Sequence, residues 1–174
     1  STSRRQRQMC IRDRSKWIGS EHCQSTPNTW LCFRKTVHLP GVPGEMIANI
    51  AVDSKYWLWI NGKMVVFEGG LKRGPAPGAT YYDQVDIAPY LEKGENIIAL
   101  LVWHFGKNGF SHVNSGTAAL LFCAQGANLS IVSDKSWQCS VYRAYQNTEA
   151  PFPNYRLSES NSRFDSRKEL AGWN

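Results

Sequence analysis

Three pairs of carboxylates lie close enough together in the sequence to be considered for acid–base chemistry. General acid–base hydrolysis needs one carboxyl group with a raised pKa and a second carboxyl group across the reacting bond. The first two pairs have simpler explanations. Asp86 is better explained as the cap of a helical turn, and Asp83 lies at the end of a strand. Glu92 and Glu95 flank a solvated turn. We therefore predict no catalytic residue in this chain. The pairs are Asp83 with Asp86, Glu92 with Glu95, and Asp165 with Glu169.

Histidine and cysteine add no catalytic or metal-binding pattern. His104 and His112 have no nucleophile-elbow motif near them, so a nucleophile triad is not predicted. The sequence has no Cys-x-x-Cys pair and no Cys/His ligand spacing, which argues against structural zinc. A calcium site needs clustered oxygen ligands, and the aspartates form no recognisable loop of that kind. We expect no metal ion and no cofactor.

Two cysteines lie within apolar, strand-like runs, where a buried free thiol is the expected state. These are Cys32 and Cys123. A disulfide between Cys23 and Cys32 is the alternative for the first of them, and the sequence does not decide between the two.

Aromatic and basic residues near two loops are candidates for sugar binding. Aromatic rings stack on the apolar face of a pyranose while neighbouring polar groups bind its hydroxyls. The competing explanation is structural, because Trp57, Trp59 and Trp103 occupy strand interiors, where core packing is favoured. The candidates for contacts to carbohydrate or to a neighbouring domain are Lys72, Arg73, Trp103, His104, Phe110 and His112.

Short strands separated by Gly, Pro and Asn dominate the chain from residue 17 onward. With only one helical turn, at residues 86–96, they predict an all-β fold, an antiparallel β-sandwich or jelly roll. The near-continuous apolar run at residues 96–105 predicts a central strand that is buried on both faces. Further strands are predicted at residues 29–39, 46–54, 80–87, 117–124 and 129–134.

The stretch SKYWLWINGKMVVFEGG predicts a β-hairpin, because Asn61-Gly62 favours a type I′ turn. A two-residue turn pairs Ile60 with Lys63, and an unbroken register then continues to Trp57 with Val66. Both faces are apolar. We predict that one face packs on an opposite sheet that includes residues 98–103, and that protein rather than sugar covers the other. One face would hold Trp57, Trp59, Met64 and Val66, and the other Tyr56, Leu58, Ile60, Val65 and Phe67.

The net charge of +6 is concentrated at the N-terminus, where residues 1–14 carry five arginines and one aspartate. The rest of the chain is nearly neutral, so nucleic acid is not an expected partner. Residues 8–14 resemble one reading frame of a sequencing adapter, and we expect this basic tail to be non-native or disordered. No apolar run approaches the roughly 20 residues of a membrane helix, so no membrane partner is expected.

Three motifs taken together resemble the N-terminal β-sandwich of bacterial α-L-rhamnosidases. They are YWLWING at residues 56–62, YDQVDIAPYLEKGEN at residues 82–96 and SDKSW at residues 133–137. The resemblance covers residues 17–173. It includes FDSR at residues 164–167, where Ser166 replaces the Ala that the family tends to have.

The resemblance implies a galactose-binding-like sandwich without chemistry of its own, because catalysis in this family belongs to a separate (α/α)₆ barrel. The implied partner is a downstream catalytic domain of the same protein, and the implied location is periplasmic or extracellular. The alternative is an independent carbohydrate-binding module that uses its loop aromatics to bind a plant or microbial glycan. We expect a tail at residues 1–14, a sandwich at residues 15–145, and at residues 146–174 a terminal strand with the truncated start of a downstream domain.

Overall fold

The computed structural model of the protein describes residues 15–20, 26–71, 80–109, 112–149 and 161–174. These residues form eleven strands and two short 3₁₀ turns, Ala88–Tyr90 and Ser166–Lys168. The strands are β1 (Thr29–Leu39), β2 (Ile47–Val52), β3 (Lys55–Ile60), β4 (Lys63–Gly70), β5 (Asp83–Asp86), β6 (Gly94–His104), β7 (Leu120–Gln125), β8 (Ser130–Val132), β9 (Gln138–Val141), β10 (Tyr145–Asn147) and β11 (Ser162–Phe164).

The strands form a five-stranded sheet in the order β4-β3-β6-β1-β9 and a four-stranded sheet in the order β5-β2-β7-β8. A separate two-stranded ribbon joins β10 to β11. All strand pairings are antiparallel. The predicted antiparallel β-sandwich is therefore confirmed.

The main core lies between the two larger sheets. Strand β6 is buried along almost its whole length, as its continuous apolar sequence predicted. Alternate residues such as Leu100 point into the main core, while the residues between them, such as Leu101, face the other side of the sheet. The largest fully buried side chains include Tyr56, Phe33 and Phe122.

The predicted helical turn is a single 3₁₀ turn whose N-cap is Ile87, one residue after the predicted cap Asp86. The backbone N–H of Ala88 donates to the Asp86 Oδ1 at 3.0 Å. Pro89 lies at the start of the turn, where its missing N–H costs no hydrogen bond. The turn ends at Tyr90, and Gly94, which has a φ of +100°, is the first residue of β6.

The hairpin turn is where the sequence places it, but the predicted register is wrong beyond the first two pairs. Asn61 and Gly62 both have positive φ, and Trp59 pairs with Met64 as expected. Leu58 then pairs with Val66 instead of Val65, because β4 carries an irregularity that adds one residue. An extra residue reverses the alternation of side chains after it. Phe67 consequently lies against Trp57, with ring centroids 6.4 Å apart, and not on the core face.

The prediction that residues 98–103 belong to the opposite sheet is also wrong. These residues lie in β6, which is hydrogen-bonded to β3 within the same sheet, with Trp59 opposite Ala99. The facing sheet is the one that contains β2 and β7. An apolar run shows that a strand is buried on both faces, but it does not reveal which strand is its neighbour.

The second face of the five-stranded sheet carries an aromatic cluster, which we call the outer aromatic face. The buried members of this cluster are packed against half-buried residues of β3 and of the C-terminal segment. Trp30 stacks on Tyr145 of the ribbon with ring centroids 3.9 Å apart, and Trp59 meets Trp173 edge to face at 5.3 Å. Protein thus covers part of this face. The members are Trp30, Cys32, Trp57, Trp59, Leu71, Leu101, Trp103, Phe105, Tyr142, Ala144, Tyr145 and Trp173.

Candidate functional site

Three of the six predicted site residues lie in the described part of the chain, and all three are buried. Trp103 is 3% exposed, His104 is 0% exposed and His112 is 5% exposed. Their role in contacts to a sugar or a domain stays a prediction, and their burial argues against it. The other three candidates, Lys72, Arg73 and Phe110, lie outside the described residues.

Trp103 is held inside the outer aromatic face by contacts on several sides. Its indole stacks on Trp30 with ring centroids 4.2 Å apart and meets Phe105 edge to face at 4.7 Å. Its Nε1–H donates to the Asn28 Oδ1 at 2.7 Å. A Trp whose ring and N–H are both engaged in this way serves packing. The core explanation for Trp103 given by the sequence therefore fits the structure.

His104 and His112 belong to a buried polar cluster with Asp53 and Ser54, two residues that no sequence motif marks. The His112 Nε2 lies 3.0 Å from the Asp53 Oδ1 and 3.0 Å from the Ser54 Oγ. The Ser54 hydroxyl donates to the same Asp53 oxygen at 2.6 Å. His104 is more distant, with its Nδ1 3.5 Å from that oxygen.

Two backbone N–H groups complete the cluster. The N–H of Phe105 donates to the Ser54 Oγ at 3.2 Å, and the N–H of Ser115 donates to the Asp53 Oδ2. Burial alone would raise the pKa of Asp53, but polar contacts with the two histidines and the two serines outweigh burial and hold its pKa well below the usual range. Asp53 is therefore an ionised carboxylate inside the protein.

This cluster resembles a catalytic Ser-His-Asp set only in composition. In such a set the carboxylate holds one imidazole nitrogen and the serine contacts the other. Here the Asp53 carboxylate and the Ser54 hydroxyl both contact Nε2 of His112. All members are also buried, which leaves no room for a substrate. The cluster instead ties the junction of β2 and β3 to the loop that follows β6.

The carboxylate pairs considered from the sequence serve structural roles where the structure describes their contacts. The Asp83 Oδ2 accepts a hydrogen bond from the N–H of Gly70 at 2.8 Å, and the Asp86 Oδ1 accepts one from the N–H of Ala88 at 3.0 Å. Asp165 forms an ion pair with Arg167 at 2.8 Å, and the hydrogen bond from that side chain lowers the pKa of Asp165 to about 2. A general acid needs a shift in the opposite direction.

The described residues contain no group of three or more His, Cys, Asp or Glu side chains arranged to hold a metal ion. Cys32, Cys123 and Cys139 do not form disulfides. Cys32 and Cys123 are buried, as the sequence predicted, and burial raises the pKa of the Cys32 thiol far above its usual range. Among the same residues, no helix is long and apolar enough to cross a membrane.

A pocket of about 450 Å³ opens between the outer aromatic face and the ribbon, and we call it the ribbon pocket. Its aromatic wall includes Tyr145, which stacks on Trp30. Two cations, Arg143 and Lys168, belong to its lining and are exposed to solvent. The complete lining is Thr26, Asn28, Thr29, Trp30, Val141, Tyr142, Arg143, Tyr145, Gln146 and Lys168.

The outer aromatic face is less covered toward β4, which lies at the edge of the five-stranded sheet. Met64 is 49% exposed and Phe67 is 71% exposed, and the adjacent Trp57 and Trp59 are half-buried. We call these four residues the edge patch. An exposed apolar patch on an edge strand favours contact with another protein surface.

The chain superposes on parts of solved α-L-rhamnosidases. A GH78 family rhamnosidase of Bacillus sp. GL1 matches with a TM-score of 0.68 and 29% sequence identity, over 76% of this chain and 14% of that chain. The native α-L-rhamnosidase of Aspergillus terreus matches with a TM-score of 0.66 and 22% identity, over 92% of this chain and 19% of that chain. This chain thus spans less than a fifth of the length of either protein.

A lectin from Pleurotus ostreatus, solved in complex with GalNAc, shares the fold alone. It matches with a TM-score of 0.54 and 18% identity, over 72% of this chain and 35% of that chain. No protein-family model and no curated protein sequence matches the chain. The resemblance seen in the sequence is confirmed: this chain is an antiparallel β-sandwich that resembles one part of GH78 family α-L-rhamnosidases.

Proposed function

We propose that this chain is a non-catalytic accessory β-sandwich of an α-L-rhamnosidase-type glycoside hydrolase, which packs on and supports a catalytic part encoded elsewhere in the same protein. The observation that carries the proposal is the match to the Bacillus rhamnosidase, in which fold and sequence agree over 76% of this chain but only 14% of that one. A chain of this size corresponds to one domain of such an enzyme.

The carboxylates of the chain support a role without catalysis. Inverting glycoside hydrolysis needs two carboxyl groups about 6.5–9.5 Å apart, one of them with a raised pKa. Asp83 and Asp86 accept backbone hydrogen bonds, Asp165 is paired with Arg167, and Asp53 is buried with a lowered pKa. Each of these carboxylates therefore already has a structural task.

The edge patch supports a role in packing. Phe67 and Met64 are exposed on the edge strand, and the half-buried indoles of Trp57 and Trp59 continue the same apolar surface. Interface cores are enriched in aromatic residues and Met, and depleted of charge. The occupant that we propose is the remainder of the same protein, because the rhamnosidases that this chain matches are about five times its length.

Determining the gene sequence beyond the codon for Asn174 tests this proposal. We expect an open reading frame that continues for several hundred residues with the periodicity of a helical barrel. In the structure of that longer protein, Phe67 and Trp57 should lie in an interdomain contact. A reading frame that stops soon after this codon, or a longer protein with a solvated edge patch, would contradict the proposal.

A further inference from the structure

The ribbon pocket has the dimensions and lining of a ligand site. Its volume of about 450 Å³ falls within the range of about 300–1,000 Å³ that is usual for small-ligand sites. Its wall is rigid, because Tyr145 is stacked on Trp30 and its strand is paired with β11. The pocket is therefore preformed, and a ligand would not have to order it.

The amides in the pocket already have partners. Asn28 accepts from the Trp103 indole and donates to the carbonyl of Asn161 at 3.2 Å. The Gln146 amide donates to the carbonyl of Arg143 at 3.3 Å and accepts from Arg163 at 3.2 Å. These groups are unavailable for a ligand unless the ribbon is disturbed.

The two cations differ from the amides. Within the described ranges, neither the Arg143 guanidinium nor the Lys168 ammonium forms a side-chain hydrogen bond or an ion pair within 4 Å. Two carboxylates lie near the pocket and have other hydrogen-bond partners. Asp165 is paired with Arg167, and the charge of Lys168 also helps to lower its pKa. Glu169 is hydrogen-bonded to the lining residue Tyr142, whose pKa burial and that carboxylate raise to about 12. Among the described residues, the donor groups of both cations are thus available to a negatively charged ligand.

We propose that the ribbon pocket binds a saccharide that carries a carboxylate, that is, a uronic acid residue. Arginine binds a carboxylate through two parallel hydrogen bonds, and lysine adds a point charge. Tyr145, whose ring stacks on Trp30 and contacts Phe164 at 4.9 Å, adds a half-buried aromatic wall beside these cations, against which C–H groups of a sugar can pack. The carboxylate follows from the pocket lining, whereas the choice of a saccharide rests on the proposed function.

Calorimetry on the full chain with digalacturonic acid tests this inference, with the dimethyl ester of the same disaccharide as the uncharged comparison. We expect measurable binding of the acid and binding of the ester weaker by about tenfold or more, as is typical for loss of a charged hydrogen bond. Arg143→Gln and Lys168→Gln should each weaken binding of the acid to a similar extent. Lys93→Gln, which removes an exposed cation outside the pocket, should leave it unchanged.

Three results would overturn the inference: no detectable binding of the acid, equal affinity for the acid and the ester, or loss of affinity on Lys93→Gln as large as on Arg143→Gln. The substituted side chains are exposed, so the variants are expected to fold, and near-ultraviolet circular dichroism checks this directly. Failure here is distinguishable from failure of the accessory role, because the gene sequence and the interdomain contact do not depend on the ribbon pocket.

Discussion

Removing the Asp53 carboxylate should strongly destabilise the protein. Asp53→Ala takes away the acceptor of the Ser115 N–H, of the Ser54 hydroxyl and of His112, all in a buried site. Each buried polar group that loses its partner costs about 1–3 kcal/mol. Loss of one member of a buried charged network typically costs about 3–5 kcal/mol in total. We therefore expect Asp53→Ala to lower the free energy of unfolding by about 3–5 kcal/mol.

Urea unfolding followed by tryptophan fluorescence measures this change. With a slope of about 2 kcal/mol per molar urea, the midpoint should fall by about 2 M. Asp53→Asn keeps the shape of the side chain but removes its charge. Its urea midpoint should therefore lie between those of the wild-type protein and Asp53→Ala. Glu95→Gln removes an exposed carboxylate and serves as the matched control. A midpoint for Asp53→Ala equal to that of Glu95→Gln would refute the role assigned to the cluster.

The same carboxylate predicts how stability depends on pH. Because the pKa of Asp53 is lowered in the folded protein, the unfolded chain takes up this proton first as the pH falls. Its contribution is therefore fully present above about pH 4, the ordinary range of an aspartate, and is lost progressively below it. Asp53→Asn should lose less stability than the wild-type protein over this acidic range, and parallel curves would contradict the prediction.

Three further predictions concern other parts of the sandwich. Asn96→Ala should lower the free energy of unfolding in urea by about 2–4 kcal/mol, because this fully buried amide binds the backbone N–H and carbonyl of Glu92 and the Asn61 side chain. A loss below about 0.5 kcal/mol, the usual limit for surface substitutions, would be inconsistent with this network. The isolated chain should self-associate through the edge patch in analytical ultracentrifugation, and Phe67→Asp should reduce association whereas Val42→Asp should not; equal effects of the two substitutions would exclude the patch. In thiol labelling followed by peptide mass spectrometry, the exposed Cys139 should react well before the buried Cys32, whose thiol has a raised pKa, and the reverse order would contradict the assigned burial.

The parts of the fold that local chemistry determines were predictable from the sequence. Asn61-Gly62 gave the hairpin turn, and the apolar run of β6 gave a strand buried on both faces. The register of β4 was not predictable, because an additional residue near Val65 changes the pairing without a Gly or Pro to mark it. The position of β6 beside β3 depends on contacts between distant segments, which periodicity does not report.

The polar cluster shows a similar limit at the level of a site. His104 and His112 were identified from their position around a Gly-rich loop, but their partners Asp53 and Ser54 lie about 50 residues earlier in the chain. One sequence feature could have pointed to Asp53 and Ser54. These two polar residues connect two buried strands, β2 and β3, without any Gly or Pro between the strands. The ribbon pocket was not predictable, because its lining comes from β1, β9, β10 and the second 3₁₀ turn.

Hydrolysis of nitrophenyl α-L-rhamnoside by the purified chain tests the absence of catalysis most directly. The rhamnosidase from Aspergillus terreus, assayed at the same molar concentration, provides the positive control. We expect this chain to release nitrophenol at the rate of the buffer alone. Turnover above that rate, abolished by substitution of a single Asp or Glu of this chain, would contradict the proposed absence of catalysis.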